Sequence, residues 1–324
     1  MQDHAPLKRN AIGYASSVVI GVASTAPGYS LAAVLGLIVA VGGIGVHAPG
    51  VLIVSFVPML LVALGYKYLN KADPDAGTTF AWATRAFGPM TGWMGGWAII
   101  VADLIVMANL AQIAGLYSFL LFGVEAPSTL AVTAVGVVWI AIMTAVCVIG
   151  VEVNARTQRW LLAAEIVTLA AFAVVALVRV GLGDGALTPS LDWFSPFAVG
   201  SVGALTSGLL VAIFIYWGWD TLVCVNEETE DAETVPGKAA VMSVLILVGI
   251  YVIVATAASA AGAALARAIE SAVRDVGRIV VCVDAAADVS TAMMRILSSG
   301  EPKTSLPRTE STSSELSISC FGPS

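Results

Sequence analysis

Charge is what this chain has least of. Of its 324 residues 11% are Asp, Glu, Lys or Arg, 58% are hydrophobic, and the mean hydropathy is +0.92. A soluble domain carries about twice that charged fraction, so a water-soluble enzyme or binding module is excluded. Histidine is nearly missing: the only two, His4 and His47, lie far apart in sequence. The four cysteines, Cys147, Cys224, Cys282 and Cys320, show no paired or metal-ligand spacing. No metal site, redox pair, cofactor or His-Glu-x-x-His motif is therefore expected, and an intramembrane enzyme is the least supported class. A basic excess is also missing, the net charge being -7, which sets nucleic acid aside.

Long apolar runs are what is present. From Ala11 to Tyr66 there is no Asp, Glu, Lys or Arg, too long for one span when about 20 residues cross the hydrocarbon core. Gly42, Gly43, Gly45, His47, Pro49 and Gly50 divide it into a first span near 11–41 and a second from Val51 to Tyr66 or Tyr68. Further spans are expected near 92–123, 128–151, 160–178, 197–224 and 239–262, giving an all-α integral membrane protein. Lys8 and Arg9 precede an apolar run that resumes past Pro27, so no cleaved signal is expected. Lys8, Arg9, Lys67, Lys71, Arg85, Arg156, Arg159 and Lys238 fall on one side and only Arg179 on the other. That asymmetry predicts a multi-pass plasma-membrane protein with a cytoplasmic N-terminus, residues 1–10 lying outside the membrane domain 11–262.

Beyond Gly262 the pattern changes. Arg267, Arg274, Arg278, Arg295, Lys303 and Arg308 fall on what seven spans make the outer side. Residues 264–276 have the spacing of an interfacial amphipathic helix, and 298–324 read as disordered. The expectation is a non-membrane tail, 263–324, produced by truncation or a reading-frame change.

Two spans carry local defects. In the first, Ser24-Thr25-Ala26-Pro27-Gly28-Tyr29-Ser30 places a proline and a glycine inside an apolar helix. Proline removes a hydrogen bond and glycine relaxes the backbone, so unwinding is expected, and a half-helix starting there would aim free amides at an anion. A packed proline kink is the competing reading. In the sixth, Phe214-Ile215-Tyr216-Trp217-Gly218-Trp219-Asp220 places a glycine between tryptophans next to a carboxylate. If a unit of five spans repeats, the second copy is inverted and span six corresponds to span one. Paired broken helices at corresponding positions point to a transporter's binding site.

These stretches, with Asp73-Pro74-Asp75-Ala76-Gly77, Phe87-Gly88, Gly92-Trp93, Asn226-Glu227-Glu228 and Val235-Pro236, resemble the amino acid permeases of the amino acid, polyamine and organocation transporter superfamily. The resemblance covers about residues 7–262. It implies a bundle of five plus five inverted-repeat helices, here cut short after the seventh, importing or exchanging amino acids or related amines. It implies that amides around Thr25 to Tyr29 receive a substrate carboxylate, that carbonyls near Ile215 to Gly218 receive its amine, and that Tyr216 or Trp217 closes over it. The site set so expected is Ser24, Thr25, Ala26, Pro27, Gly28, Tyr29, Ile215, Tyr216, Trp217, Gly218 and Asp103, with Trp219, Asp220 and Glu165 in gating or coupling. The chain departs from the family at its Ala-Pro-Gly-Tyr break, where many members are richer in glycine. It departs again at Glu165, near where some proton-coupled members place a lysine.

Three carboxylates inside spans are each read two ways. Asp103 either binds a substrate ammonium or carries a proton, or it hydrogen-bonds a neighbouring helix. Glu165 either takes part in coupling or reaches the headgroup region from one turn into span five. Asp220 either takes part in gating or coupling, or it caps the broken helix or pairs with a cytoplasmic Lys or Arg. The leading reading is a secondary transporter of amino acids or small amines working by alternating access, with a proton or sodium ion as candidate coupling partner. The alternative is a non-transporting membrane scaffold whose acidic loop docks a partner.

Overall fold

The computed structural model describes residues 10–124, 126–149 and 151–262; the expectations for 1–9 and 263–324 lie outside the described residues. Among the described residues seven helices are long and apolar enough to cross a membrane: Tyr14–Ala40, Gly45–Ala72, Pro89–Leu121, Thr129–Ile149, Arg156–Gly181, Val202–Val223 and Val235–Gly262. They are called spans one to seven below. Among the described residues there is no strand, only a single parallel bridge between Ile12 and Thr229. The chain is an all-α membrane protein with the break pattern expected of the inverted-repeat transporter bundle.

Several helices start earlier than the sequence expectation. Span two starts at Gly45 rather than Val51, because Pro49 sits in the first turn, where its missing N–H is no loss. Span three likewise begins at Pro89 rather than Gly92, after Gly88 has turned the chain at φ +93°. The helix containing span five begins at Val151, well before Trp160. Charged residues at span ends thus extend helices into the interface instead of ending them. Lys67–Ala72 completes span two, and a separate helix, Thr78–Phe87, packs along span three.

Span one packs against span five and against the far end of span six, and span two packs against the near half of span six. Spans three and four lie together on one side. The largest apolar core joins Val22, Leu31 and Ile38 of span one to Leu52 of span two, Ile215 and Tyr216 of span six, and Leu247 and Tyr251 of span seven. Burying large side chains of four spans around two interrupted helices is what lets irregular backbone survive at that depth. At the N-terminal face the chain is latched: the amides of Ala11 and Ile12 donate to the Glu228 carbonyl at 2.8 and 3.1 Å, and the Glu230 amide donates to the Ile12 carbonyl at 2.9 Å.

Candidate functional site

Both interruptions are present where the sequence places them. Span one is α-helical from Tyr14 to Ala23, turns at Ser24 to Ala26, and resumes at Pro27. Ala26 carries the turn at φ 42°, ψ 66°, a left-handed conformation rare for a residue with a side chain. The following Leu31–Leu35 is a π-helical stretch, the wider winding that often accompanies functional irregularity. Pro27 thus starts a half-helix rather than kinking a continuous one. The Ser24 hydroxyl donates to the Ile20 carbonyl at 2.5 Å, and that of Thr25 to the Val22 carbonyl at 2.7 Å, closing the end of the first half.

Span six is α-helical from Val202 to Phe214, opened by the Ser201 side chain accepting from the Ala204 amide. It then turns through Ile215 to Gly218 and resumes as a 3-10 helix, Trp219–Val223. The two breaks touch. Gly218 has φ +122°, and a Cβ there would overlap the Ser24 carbonyl oxygen and stand 3.2 Å from the Thr25 Cα. Only glycine permits this conformation and this approach together.

The polar groups of the breaks are engaged by the protein's own side chains. The Gly28 amide donates to Glu165 Oε1, reaching across from span five. The Ile215 carbonyl accepts from the Tyr251 hydroxyl of span seven at 2.5 Å. Thr25 and Ser30 lie beside that same phenol, and the Ser30 hydroxyl donates to the Thr25 carbonyl at 2.7 Å. Of the amides expected to face a substrate, those of Thr25 and Ala26 close turns onto the Val22 and Ala23 carbonyls.

Glu165 is 1% exposed. Of the two readings given for it, the one in which it reaches the headgroup region does not fit, because the side chain turns into the bundle interior, where its Oε1 accepts from the Gly28 amide.

The remaining expected residues fall into separate groups. Tyr29 donates to Asn109 Oδ1 of span three at 2.8 Å. Tyr216 is fully buried and donates to the Leu52 carbonyl at 3.0 Å, so its hydroxyl faces span two. Trp217 is half-buried against Phe214, ring centroids 6.2 Å apart. Trp219 is buried edge-on to Tyr66 at 5.3 Å, and Tyr66 packs in the same way on Trp82. It belongs to a lower core with Ile12, Ile20 and Leu222. Asp103, 4% exposed, shares a cavity of about 30 Å³ with Asp220, Thr78 and Cys224. That is room for about two waters. The structure therefore brings Ser24 to Gly28, Ile215, Gly218 and Glu165 into one neighbourhood, and Asp103 and Asp220 into another.

With that geometry in place, the comparisons with known proteins agree. A family model described as amino acid permease matches residues 11–280. The chain belongs to the amino acid permease family. Its relatives include the low-affinity putrescine importer PlaP of Escherichia coli K12, 27% identical over 202 residues, 62% of this chain and 43% of that protein. The branched-chain amino acid permease BcaP of Lactococcus lactis is 23% identical over 203 residues, 59% of this chain and 43% of that one. The human Asc-type amino acid transporter 1 is 26% identical over 230 residues, 67% of this chain and 43% of its own length. This permease chain spans about half the length of the curated relatives it matches, and those relatives are transporters rather than enzymes.

Two residues that touch the breaks lie outside the set expected from the sequence. Tyr251 sits in an apolar span with nothing polar near it in sequence to mark it, yet it joins both breaks. Asn109 is a polar residue inside span three, and its pairing with Tyr29 ties the start of the second half-helix to span three.

Proposed function

We propose that the chain is, or is part of, a secondary active transporter of amino acids or related small amines, working by alternating access. The observation that carries the reading is the pair of interrupted helices in backbone contact, Gly218 against Ser24 and Thr25. Peptide groups of Thr25 to Tyr29 and Ile215 to Gly218 hold the substrate when it takes the place of their present partners, among them Glu165 at the Gly28 amide and Tyr251 at the Ile215 carbonyl, with Trp217 and Trp219 moving as the bundle rocks. The membrane domain is 11–262, and the lysine and arginine asymmetry orients it with the N-terminus in the cytoplasm of a plasma-membrane protein. Asp103 and Asp220, sharing one cavity, are the candidate proton or sodium carriers. The names of the relatives, a putrescine importer and a branched-chain amino acid permease, are consistent with a small nitrogenous substrate.

The test is uptake and exchange of labelled amino acids and amines by proteoliposomes containing the purified chain, with and without imposed proton or sodium gradients. Saturable, gradient-dependent uptake is expected. A non-transporting scaffold is distinguished by thermal shift, since its melting temperature ignores both amino acids and amines.

A further inference from the structure

A phenol has one hydrogen to give, and around Tyr251 stand acceptors of both broken helices. The residue lies inside span seven, is 0% exposed, and donates to the Ile215 carbonyl of span six at 2.5 Å. Its ring packs edge-on to Tyr216, centroids 5.0 Å apart, and Tyr216 is tied to span two through the Leu52 carbonyl. Beside the same hydroxyl are the Thr25 and Ser30 side chains of span one. Those two hydroxyls give their own hydrogens to the Val22 and Thr25 carbonyls, which leaves their oxygens lone pairs for a further donor. In this structure span six holds the Tyr251 hydrogen.

We propose that Tyr251 is a positioning residue that changes partner as the site fills. Its hydroxyl satisfies the Ile215 carbonyl while the site is empty, and turns to the Thr25 and Ser30 oxygens of span one when a substrate ammonium takes that carbonyl. This rests on the reading of the two breaks as the substrate site and adds span seven to it. Arrival of substrate loosens span seven from span six and fastens it to span one. The exchange also keeps a buried carbonyl of the empty chain from being stranded in an interior poor in water, where an unmade hydrogen bond is costly.

The test is binding of glycine, leucine and 1,4-diaminobutane, each carrying an amine, to the purified full chain in nanodiscs, by calorimetry and by thermal unfolding. Tyr251→Phe leaves the Ile215 carbonyl without this donor in the empty chain, and a bound ammonium makes good the loss. Affinity for whichever probe the unaltered chain binds should therefore rise roughly three- to thirtyfold. The melting-temperature gap between the two proteins should narrow as that probe saturates. A merely structural role predicts the opposite sign, weaker binding with a gap that persists. Thr25→Val combined with Ser30→Ala removes the oxygens that receive the phenol in the filled site. It should weaken binding roughly threefold or more in the unaltered chain and not in Tyr251→Phe, a coupling that a double-mutant cycle reads. Should Tyr251→Phe not fold, the paired variant alone carries the test. Equal or weaker binding by a folded Tyr251→Phe, or unchanged binding by the paired variant, overturns the inference while leaving the site reading intact. Failure of every probe to bind the folded unaltered chain overturns the site reading and the inference with it.

Discussion

The contact between the two breaks predicts a severe effect from one methyl group. In Gly218→Ala the new Cβ would overlap the Ser24 carbonyl oxygen and lie 2.8 Å from its carbon, both backbone atoms that cannot swing aside as a side chain does. The residue also sits at φ 122°, ψ -28°, outside the regions open to residues with a Cβ. Holding a side chain in such a conformation costs about 1–3 kcal/mol, and overpacking a tight contact costs about another 1–3 kcal/mol. The sum, about 2–6 kcal/mol, is a large share of a domain's total stability of about 5–15 kcal/mol. Gly249→Ala, in span seven, is the matched control, because a Cβ there meets nothing within 4 Å. It should be neutral or stabilising by up to about 1 kcal/mol. Reversible unfolding of the purified chain in mixed micelles measures both. A Gly218→Ala protein within about 0.5 kcal/mol of the unaltered chain, the range of an ordinary surface substitution, would show that the breaks do not press on each other.

Tyr251→Phe removes the donor to the buried Ile215 carbonyl while keeping the ring that stacks edge-on to Tyr216 at 5.0 Å. An unsatisfied buried acceptor costs about 1–3 kcal/mol, so lower unfolding stability is expected with unchanged helix content by circular dichroism. Asn70 is fully buried, donates to the Ala232 and Glu233 carbonyls, and accepts from the Asn226 side chain. Asn70→Ala strands all three partners, and faster proteolysis of the 226–233 loop is expected because its tie to span two is cut. Burial holds the Glu228 carboxyl above the ordinary carboxylate range. Its ionisation therefore opposes folding: the penalty is absent below the unfolded value, enters as pH rises toward the raised folded value, and is complete above it. Glu228→Gln should raise the melting temperature at about pH 7 and have less effect at about pH 4, where both forms are neutral. An equal shift at the two pH values would exclude this cause.

The position and number of the spans were legible in the amino-acid order, because the bilayer sets a length and composition that an uncharged run either meets or does not. So were the breaks at Ser24 to Ser30 and at Ile215 to Gly218, since proline, glycine and their neighbours act on the backbone locally. What occupies the freed backbone groups was decided by packing. Glu165 meets Gly28 across 137 positions and Tyr251 meets Ile215 across 36, and helical periodicity gives the face a side chain is on without naming the helix opposite. Tyr216 shows the same division in reverse: its place in the break was readable, but its direction toward Leu52 was set by where span two lies against span six. The burial of Glu165 was likewise decided by packing, since its position in span five was readable but its turn toward Gly28 of span one was not.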